Sequence, residues 1–369
     1  MSVVKGWCPG ALRPMESSDG WVVRLRPPGG RLSRAQAAGI ARAARLHGNG
    51  RIDLTGRANL QLRGITADSH APLLAELRAL ALIDPDIATE TRHNIVVTPF
   101  ADAETDRIAA DLRRALAASD LALPAKFGFA VDTGPAPGLT DTPADIRLER
   151  DAGGGPILRA DGMAHGQRLG DPAQAVALAA WFLDRGGAVD GRGRMGALIA
   201  RGIVPDGADI PALAPVAAPG PGPCAGGFLA ALEFGQIEAA LLATVARLGP
   251  LRLTPWRMLL IEGASALPDL PGLIGQQGDP RLRLRACPGA PACPAAFAPT
   301  RDLARRLMRT VPPGAILHVS GCAKGCGWPR RADLTLTATP DGFDLIRGGR
   351  AGDTPDRRGL DPDRLTEVP

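Results

Sequence analysis

The stretch GRIDLTGRANLQLRG at residues 50–64 lines up without a gap against GPLRLTPWRMLLIEG at residues 249–263, and this self-match decides the fold. In both copies an apolar alternation ends at a threonine (Thr55, Thr254), a turn pair follows, and a second alternating run leads to a glycine (Gly64, Gly263). Alternation at period two marks a half-buried strand, so each copy predicts two strands joined by a short turn. A helical stretch precedes each: SRAQAAGIARAARLHG from Ser33, with Ser33 as N-cap and Gly48 as stop, and FGQIEAALLATVARLG from Phe234 to Gly249. A helix-strand-strand unit therefore occurs twice.

The parallel continues more loosely downstream, where LIDPDIATETRHNIVVTPFADAE from Leu82 faces LIGQQGDPRLRLRACPGAPACPAA from Leu273. Two related halves are expected. The divide falls at residues 205–227, PDGADIPALAPVAAPGPGPCAGG, where Pro and Gly crowd together and periodicity vanishes. The expected organisation is a small strand-bearing unit at 1–68, a larger α/β unit at 69–204, the linker, a second small unit at 228–265, a second α/β unit at 266–346 and a polar tail at 347–369.

With 45% hydrophobic and 22% charged residues, the 369-residue chain is long and apolar enough for two or three packed domains, and 46 Gly with 35 Pro make it loop-rich without making it disordered. No apolar run reaches the roughly 18–20 residues of a membrane span, and the opening MSVVKGWCPG lacks the apolar stretch of a signal peptide, so a cytoplasmic address is expected. The net charge of +5 is carried by arginine, because Lys5, Lys126 and Lys324 are the only lysines. Guanidinium forks bind carboxylates and phosphates bidentately, which suits a polyanionic ligand; a GC-rich genome would give the same bias with no function attached. Nucleic acid is not expected as a partner: aromatics are 4% of the chain, tyrosine is absent, and no basic run is interleaved with aromatics.

The sharpest chemical signal is Cys287 and Cys293 in ACPGAPACPAA, five residues between them, followed by Cys322 and Cys326 in HVSGCAKGCGWP, three between them. Four cysteines on loops that wrap a cubane are what a 4Fe-4S cluster requires, and Gly289, Gly321, Gly325 and Gly327 let backbone N–H groups approach its sulfurs. Structural zinc is the rival, although its paired ligands usually stand two to four residues apart. Lys324 would set a cation beside an anionic cluster or simply be a solvated loop residue. Cys8 and Cys224, in WCPG and GPCAG, have no paired thiol nearby and read as plain cysteines. The run Gly191, Gly193, Gly196 satisfies GxGxxG, but it follows a helical segment instead of a strand and carries Arg192 and Arg194, so it is not read as a nicotinamide site; its arginines could meet a ligand's carboxylates instead.

The cysteine pattern resembles the cluster signature of the sulfite and nitrite reductase superfamily, and other blocks agree in order: LTGRANLQLRG is similar to that superfamily's tetrapyrrole-holding motif, RHNIVVTP to its Arg-Asn strand, and LPAKFGFAVD to its substrate-lysine segment. The resemblance covers nearly the whole chain. It implies an α+β fold of two pseudo-twofold-related halves, each a ferredoxin-like half-domain plus a larger α/β domain. It also implies that Cys287, Cys293, Cys322 and Cys326 hold a 4Fe-4S cluster, and that Arg57, Asn59, Gln61, Arg63, Arg92, Asn94, Lys126 and Arg257 face an octacarboxylate macrocycle. On an unbroken strand Arg57, Asn59, Gln61 and Arg63 would share one face, though Gly56 marks a turn that could break the period.

The departures from that pattern matter. The reductases carry a second basic residue two positions after the lysine, where this chain has Gly128, and the opening and the ending SGCAKGCGWP look more like the aerobic corrin-pathway branch of the superfamily, in which the tetrapyrrole is the substrate. That branch implies oxygenation of precorrin-3A at ring carbon 20 with γ-lactone formation, consuming dioxygen and electrons from NADH delivered by a separate reductase, with a mononuclear non-haem iron beside the cluster. No local motif among the five histidines marks ligands for such an iron; His93, within the RHN block, is the candidate, against the alternative that it packs. A monomer is expected. The competing readings are a sirohaem-dependent sulfite or nitrite reductase, against which Gly128 speaks, and a non-catalytic iron-sulfur carrier or zinc-stabilised binding module, which would leave the first half unexplained.

Overall fold

In a computed structural model that describes residues 8–134 and 136–365, the internal repeat is visible down to single hydrogen bonds. Lys5 and the rest of residues 1–7, which belong to the opening that carries part of the resemblance, lie outside the described residues. The Thr55 hydroxyl accepts from the backbone N–H of Arg57 (3.3 Å) and Asn59 (3.2 Å), and the Thr254 hydroxyl accepts from Trp256 and Met258 (both 3.2 Å). Each threonine thereby ties the turn between two strands, Arg51–Leu54 and Leu60–Ile65 in the first half, Leu251–Leu253 and Met258–Glu262 in the second. At matching positions of the two turns, Ala58 (φ 52°) and Arg257 (φ 61°) both lie in the left-handed region that non-glycine residues seldom occupy.

The helix Arg34–His47 begins with a capping box, in which Ser33 Oγ accepts from the Gln36 N–H while Gln36 Oε1 accepts from the Ser33 N–H. Its buried side includes Ala37, Gly39, Ala41, Ala43 and Ala44, small residues that let it pack closely on the helix Ala239–Val245 of the second half. That second helix is shorter than the stretch from Phe234 suggests. Glu233–Gly235 is a 3₁₀ turn and Gln236–Glu238 is a strand, because Ile237 is buried and the open edge of the first sheet satisfies the segment's backbone; pairing outweighs local helix preference.

The strand so formed is exchanged between halves. The first small sheet runs Met15–Ser17, Gly20–Leu25, Leu60–Ile65, Arg51–Leu54, Gln236–Glu238; the second runs Gly222–Cys224, Gly227–Leu232, Met258–Glu262, Leu251–Leu253, Arg31–Leu32. Every pairing along both paths is antiparallel, and the last strand of each sheet comes from the opposite half. One apolar core serves both, with Leu25, Ile40 and Leu62 from the first half and Leu232, Ile237, Leu251 and Ile261 from the second. Each such side chain contributes about 1.5–3 kcal/mol when buried, so the halves stand or fall together.

The larger units repeat as well. In the first, Ile95–Val97, Phe129–Val131 and Ile146–Arg150 pair in parallel, and Pro156–Ala160 and His165–Arg168 add antiparallel strands. In the second, Leu284–Ala286, Leu317–Ser320 and Ala332–Thr339 pair in parallel, and Gly342–Gly349 and Arg357–Leu360 add antiparallel strands. Residues 347–365 are therefore not the tail expected of them: they complete the outer hairpin, Leu345 and Ile346 are buried beneath it, and Leu365 joins its core. The polar composition there reflects an edge strand facing water. The linker at 205–227 also carries structure at both ends, since Ile210–Pro211 extends the first large sheet and Gly222–Cys224 opens the second half-domain. Among the described residues no helix is long and apolar enough to cross a membrane.

Two stability measurements follow from this architecture. Thr254→Val keeps the volume of a fully buried side chain but strands two backbone N–H groups, and should lower the unfolding free energy by about 1–3 kcal/mol in urea with an unchanged slope. Asp132, at the end of Phe129–Val131, accepts from the Leu139 N–H (2.7 Å), yet burial, with Glu149 adding, pushes its pKa up to about 6. A carboxyl raised in the folded state contributes stability that is present below its unfolded value and lost as pH rises through the folded one. Wild type should lose up to about 3 kcal/mol between pH 4 and 7 relative to Asp132→Asn; parallel pH profiles would show that Asp132 does not titrate there.

Candidate active site between the two halves

The two halves enclose a cavity of about 1230 Å³, larger than the roughly 300–1000 Å³ of ordinary small-molecule pockets. Its basic lining comes from both sides: Arg24, Arg26, Arg57, Lys126 and Arg194 from the first half, and Arg257, Arg281, Arg285 and Arg330 from the second. Asp141 is the one carboxylate among the described lining residues. Apolar surface completes the wall through Trp256, Trp328 and residues 215–221, so the linker lines the cavity as well as joining the halves.

Arg194, Arg281 and Arg330 pair with Asp145, Asp279 and Asp141, but others of these cations are short of partners. Arg24 Nε and Arg26 Nε and Nη1 are buried with no hydrogen-bond partner. Burial, and then the charge of Arg26, brings Arg24 down to about 10; burial, and then Arg257, does the same to Arg285. Burial also lowers Arg57, which stands near Arg194, and Arg257. A guanidinium held below its usual value is one the protein by itself solvates poorly, and bound carboxylates would restore it. Arg63 is the contrast: burial works against it, but Asp19 at 2.8 Å and Asp53 at 3.2 Å outweigh burial and raise it.

Beside the cavity, strand pairing gathers the cysteines. Leu284–Ala286 and Leu317–Ser320 are parallel neighbours with Ala286 opposite Val319, so Cys287 and Gly321 leave the sheet side by side and the Gly321 N–H donates to Cys287 Sγ at 3.2 Å. The intervening loop folds back on this point, with the Phe297 N–H donating to Gly321 O (2.9 Å) and the Cys293 N–H to Gly289 O (2.8 Å). Cys326 senses the other three: burial, then Cys322, Cys287 and Cys293, push its thiol up, and Lys324 pulls it down. The glycines keep the loops close. A Cβ on Gly321 would stand 2.6 Å from Ala296 Cβ and 3.4 Å from Cys287 Sγ, and one on Gly327 would stand 2.7 Å from Cys287 N. Cys326 also lines the cavity, which puts the thiol cluster directly against the cationic cleft.

Residues 13–80 match the family model of the nitrite/sulfite reductase ferredoxin-like half domain. A curated relative from Sinorhizobium sp., named precorrin-3B synthase, is 32% identical over 417 residues that span 96% of this chain and 85% of its own. The chain belongs to the precorrin-3B synthase family. The solved structure of the Mycobacterium tuberculosis NirA protein superposes with a TM-score of 0.65 over 94% of this chain and 79% of that one, at 18% identity, which shows a shared fold.

In this member of the precorrin-3B synthase family, the structure brings four of the expected macrocycle-facing residues to the cleft: Arg57, Asn94, Lys126 and Arg257. The other four lie elsewhere. The left-handed turn at Ala58 breaks the strand period, so Arg57 reaches the cleft while Arg63 points to the far side, bridging Asp19, Asp53 and Ala292 O of the cysteine loop (3.2 Å). Asn59 is buried in the Thr55 turn, and Gln61 is paired between Arg24 and Asp53 within its sheet. Arg92 is buried with its Nε donating to Leu116 O (3.0 Å), near the end of the helix Ala103–Ala118. His93 does not line the cleft: its Nδ1 lies 2.9 Å from Asp84 Oδ1 and its Nε2 2.9 Å from Arg113 O, so both ring nitrogens are engaged within the protein.

Gly128 has a structural reason. A Cβ there would stand 2.7 Å from Asn94 Nδ2, which is itself held by Phe127 O at 2.7 Å, so the wall is built around the missing side chain. Arg194 lines the cleft as expected of the arginines in the glycine run, whereas Arg192 does not; Arg24, Arg26, Arg281, Arg285, Arg330 and Cys8 also line it and were not singled out as such from sequence. Arg24 and Arg26 alternate with buried Val23 and Leu25 in VVRLR, a period that marks a one-faced strand end. Arg194, inside the false GxGxxG run, is steered by Asp145 (2.8 Å). Replacing an under-partnered cleft cation should trade binding for stability. Arg24→Leu is expected to make the ligand-free protein more stable by about 1 kcal/mol or more, and to weaken an octacarboxylate porphyrin by roughly 1.5–3 kcal/mol. Thermal unfolding and a fluorescence titration read the two effects, and a variant that binds as well as wild type would remove Arg24 from the site.

Proposed function

We propose that the chain is the monooxygenase of aerobic cobalamin biosynthesis that converts precorrin-3A to precorrin-3B. One atom of dioxygen enters the ring at carbon 20 with closure of a γ-lactone, and the other leaves as water with two electrons from NADH. The observation that carries this reading is the cleft of nine cations and one carboxylate with Cys326 in its wall, in a chain of the precorrin-3B synthase family. A ring fringed with acetates and propionates fits that lining, since each carboxylate can take a charge-assisted pair of hydrogen bonds from a guanidinium. Arg24, Arg26, Arg57 and Lys126 would orient one edge of the ring and Arg257, Arg281 and Arg285 the other, while Trp256, Trp328 and residues 215–221 exclude water above it.

A 4Fe-4S cluster on Cys287, Cys293, Cys322 and Cys326 would supply electrons one at a time. The donor set fits it: the thiols converge, glycines clear their approach, and Gly321 already donates to a sulfur. Among the described residues no group of three His, Cys, Asp or Glu is arranged to hold a single metal ion, so the mononuclear iron implied by the resemblance finds no ligand set there; a cubane is larger than one ion and keeps its thiolates farther apart. With the glycine run at residues 191–196 spent on positioning Arg194, the electrons are assigned to a separate reductase.

The test is anaerobic purification with iron, sulfide and visible-spectrum analysis, followed by precorrin-3A, ¹⁸O₂ and a reductant. A sulfide-containing protein without sirohaem bands and a product carrying one ¹⁸O is the expected result, and Cys322→Ser should lose the sulfide. A sirohaem spectrum with sulfite or nitrite turnover would assign the chain to the reductases instead.

A further inference from the structure

His318 is fully buried in the strand Leu317–Ser320, and neither of its ring nitrogens has a hydrogen-bond partner. Leaving a buried polar group unpaired costs about 1–3 kcal/mol, and native proteins seldom do so without a bound group to answer it. The surroundings of the ring explain why no side chain does. Its register neighbours are Arg285 and Thr335, on the sheet face opposite the core residues Leu317 and Val319. The Thr335 hydroxyl donates to Gly349 O (2.9 Å), Arg285 Nη1 to Leu282 O (2.6 Å) and Arg257 Nη2 to Gly327 O (3.0 Å). Guanidinium groups carry no acceptor at all. Burial, then the charges of Arg257 and Arg285, brings His318 down to about 4, so the ring is neutral, with one N–H to give and one lone pair to offer.

The arginines can meet the lone pair; the N–H needs an electron-rich acceptor. The position of the ring says which. His318 Cε1, the carbon bonded to both nitrogens, lies 3.8 Å from where a Cβ on Gly325 would stand, so the ring turns its nitrogen-bearing edge toward the loop between Cys322 and Cys326. Gly325 itself adopts φ 62°, a left-handed turn that glycine takes readily.

We propose that His318 is a positioning residue that donates its ring N–H to the sulfur of the iron-sulfur cluster and so raises the cluster's reduction potential. The proposal rests on the 4Fe-4S reading given above. A donor to cluster sulfur favours the more negative, reduced form, and hydrogen bonds to the sulfurs are among the determinants of cluster potential. His318 would thus stand between the cleft arginines and the cluster, touching the electron source and the substrate wall with its two nitrogens.

The experiment is a dye-mediated potentiometric titration, followed by electron paramagnetic resonance, of the anaerobically purified full-length wild type, His318→Phe and His318→Gln. The phenylalanine removes the donor at similar volume and should lower the reduced-to-oxidised ratio at a fixed potential about tenfold, a shift of about 59 mV for one electron. The glutamine keeps an N–H donor and should stay nearer to wild type. Equal potentials in all three proteins overturn the proposal while leaving the cluster standing. If wild type itself holds no cluster, the underlying reading fails and the proposal with it. Should the phenylalanine variant not fold, wild type labelled with ring-¹⁵N histidine decides the matter: electron-nuclear double resonance of the reduced cluster should show a coupled, exchangeable histidine proton, and its absence overturns the assignment.

Discussion

Neither small sheet is complete by itself. Gln236–Glu238 closes the first and Arg31–Leu32 closes the second, and the shared core of Leu25, Ile40, Leu232 and Ile261 lies across the exchange. This reciprocal pairing fixes the angle between the halves, and the angle fixes the cavity. The two turns that carry Arg57 and Arg257 are related by the same pseudo-twofold relation, so the cleft is where the two copies of one structural unit present equivalent loops to each other. An exposed sheet edge invites pairing with another chain; here the edges of Arg51–Leu54 and Leu251–Leu253 are covered by a strand from the opposite half.

The repeat was legible in the sequence because Thr55 and Thr254 do local work: one side-chain oxygen ties two backbone donors, and a local hydrogen-bonding task leaves a local trace. The cysteines were legible for the same reason. What could not be read was governed by context. Ala58 gives no hint of a left-handed turn, yet that turn separates Arg57 from Arg63 and sends them to opposite sides. The segment 236–238 looked helical until an edge strand claimed it. Arg24, Arg285 and Arg330 come from separate segments and converge only after folding, and in a chain so rich in arginine no single one stands out. The outer hairpin near residue 350 reads as a polar tail because one of its strands faces solvent.

The large sheets share a strand order, but their ends have diverged in chemistry. Where Leu284–Ala286 and Leu317–Ser320 lead into cysteine loops, Ile95–Val97 and Phe129–Val131 lead to Thr98 and the buried Asp132, which pins the loop through Leu139 that lines the cleft. One half gathers the cysteines at its sheet end, and the other uses that end to hold a loop of the cleft wall. Arg24 and Arg26 hold buried guanidinium nitrogens without an acceptor, a cost that a bound carboxylate would offset.

The linker adds a further consequence. A tetrapyrrole is close to fourfold symmetric, so a cleft with two matching walls would accept it in several rotations and expose several equivalent carbons to reaction. Residues 215–221 line the cavity, and no second copy of that segment exists in the repeat. The covalent joint between the halves therefore adds to the asymmetry of the chamber, and a lopsided chamber can hold a nearly symmetric ring in one rotational setting.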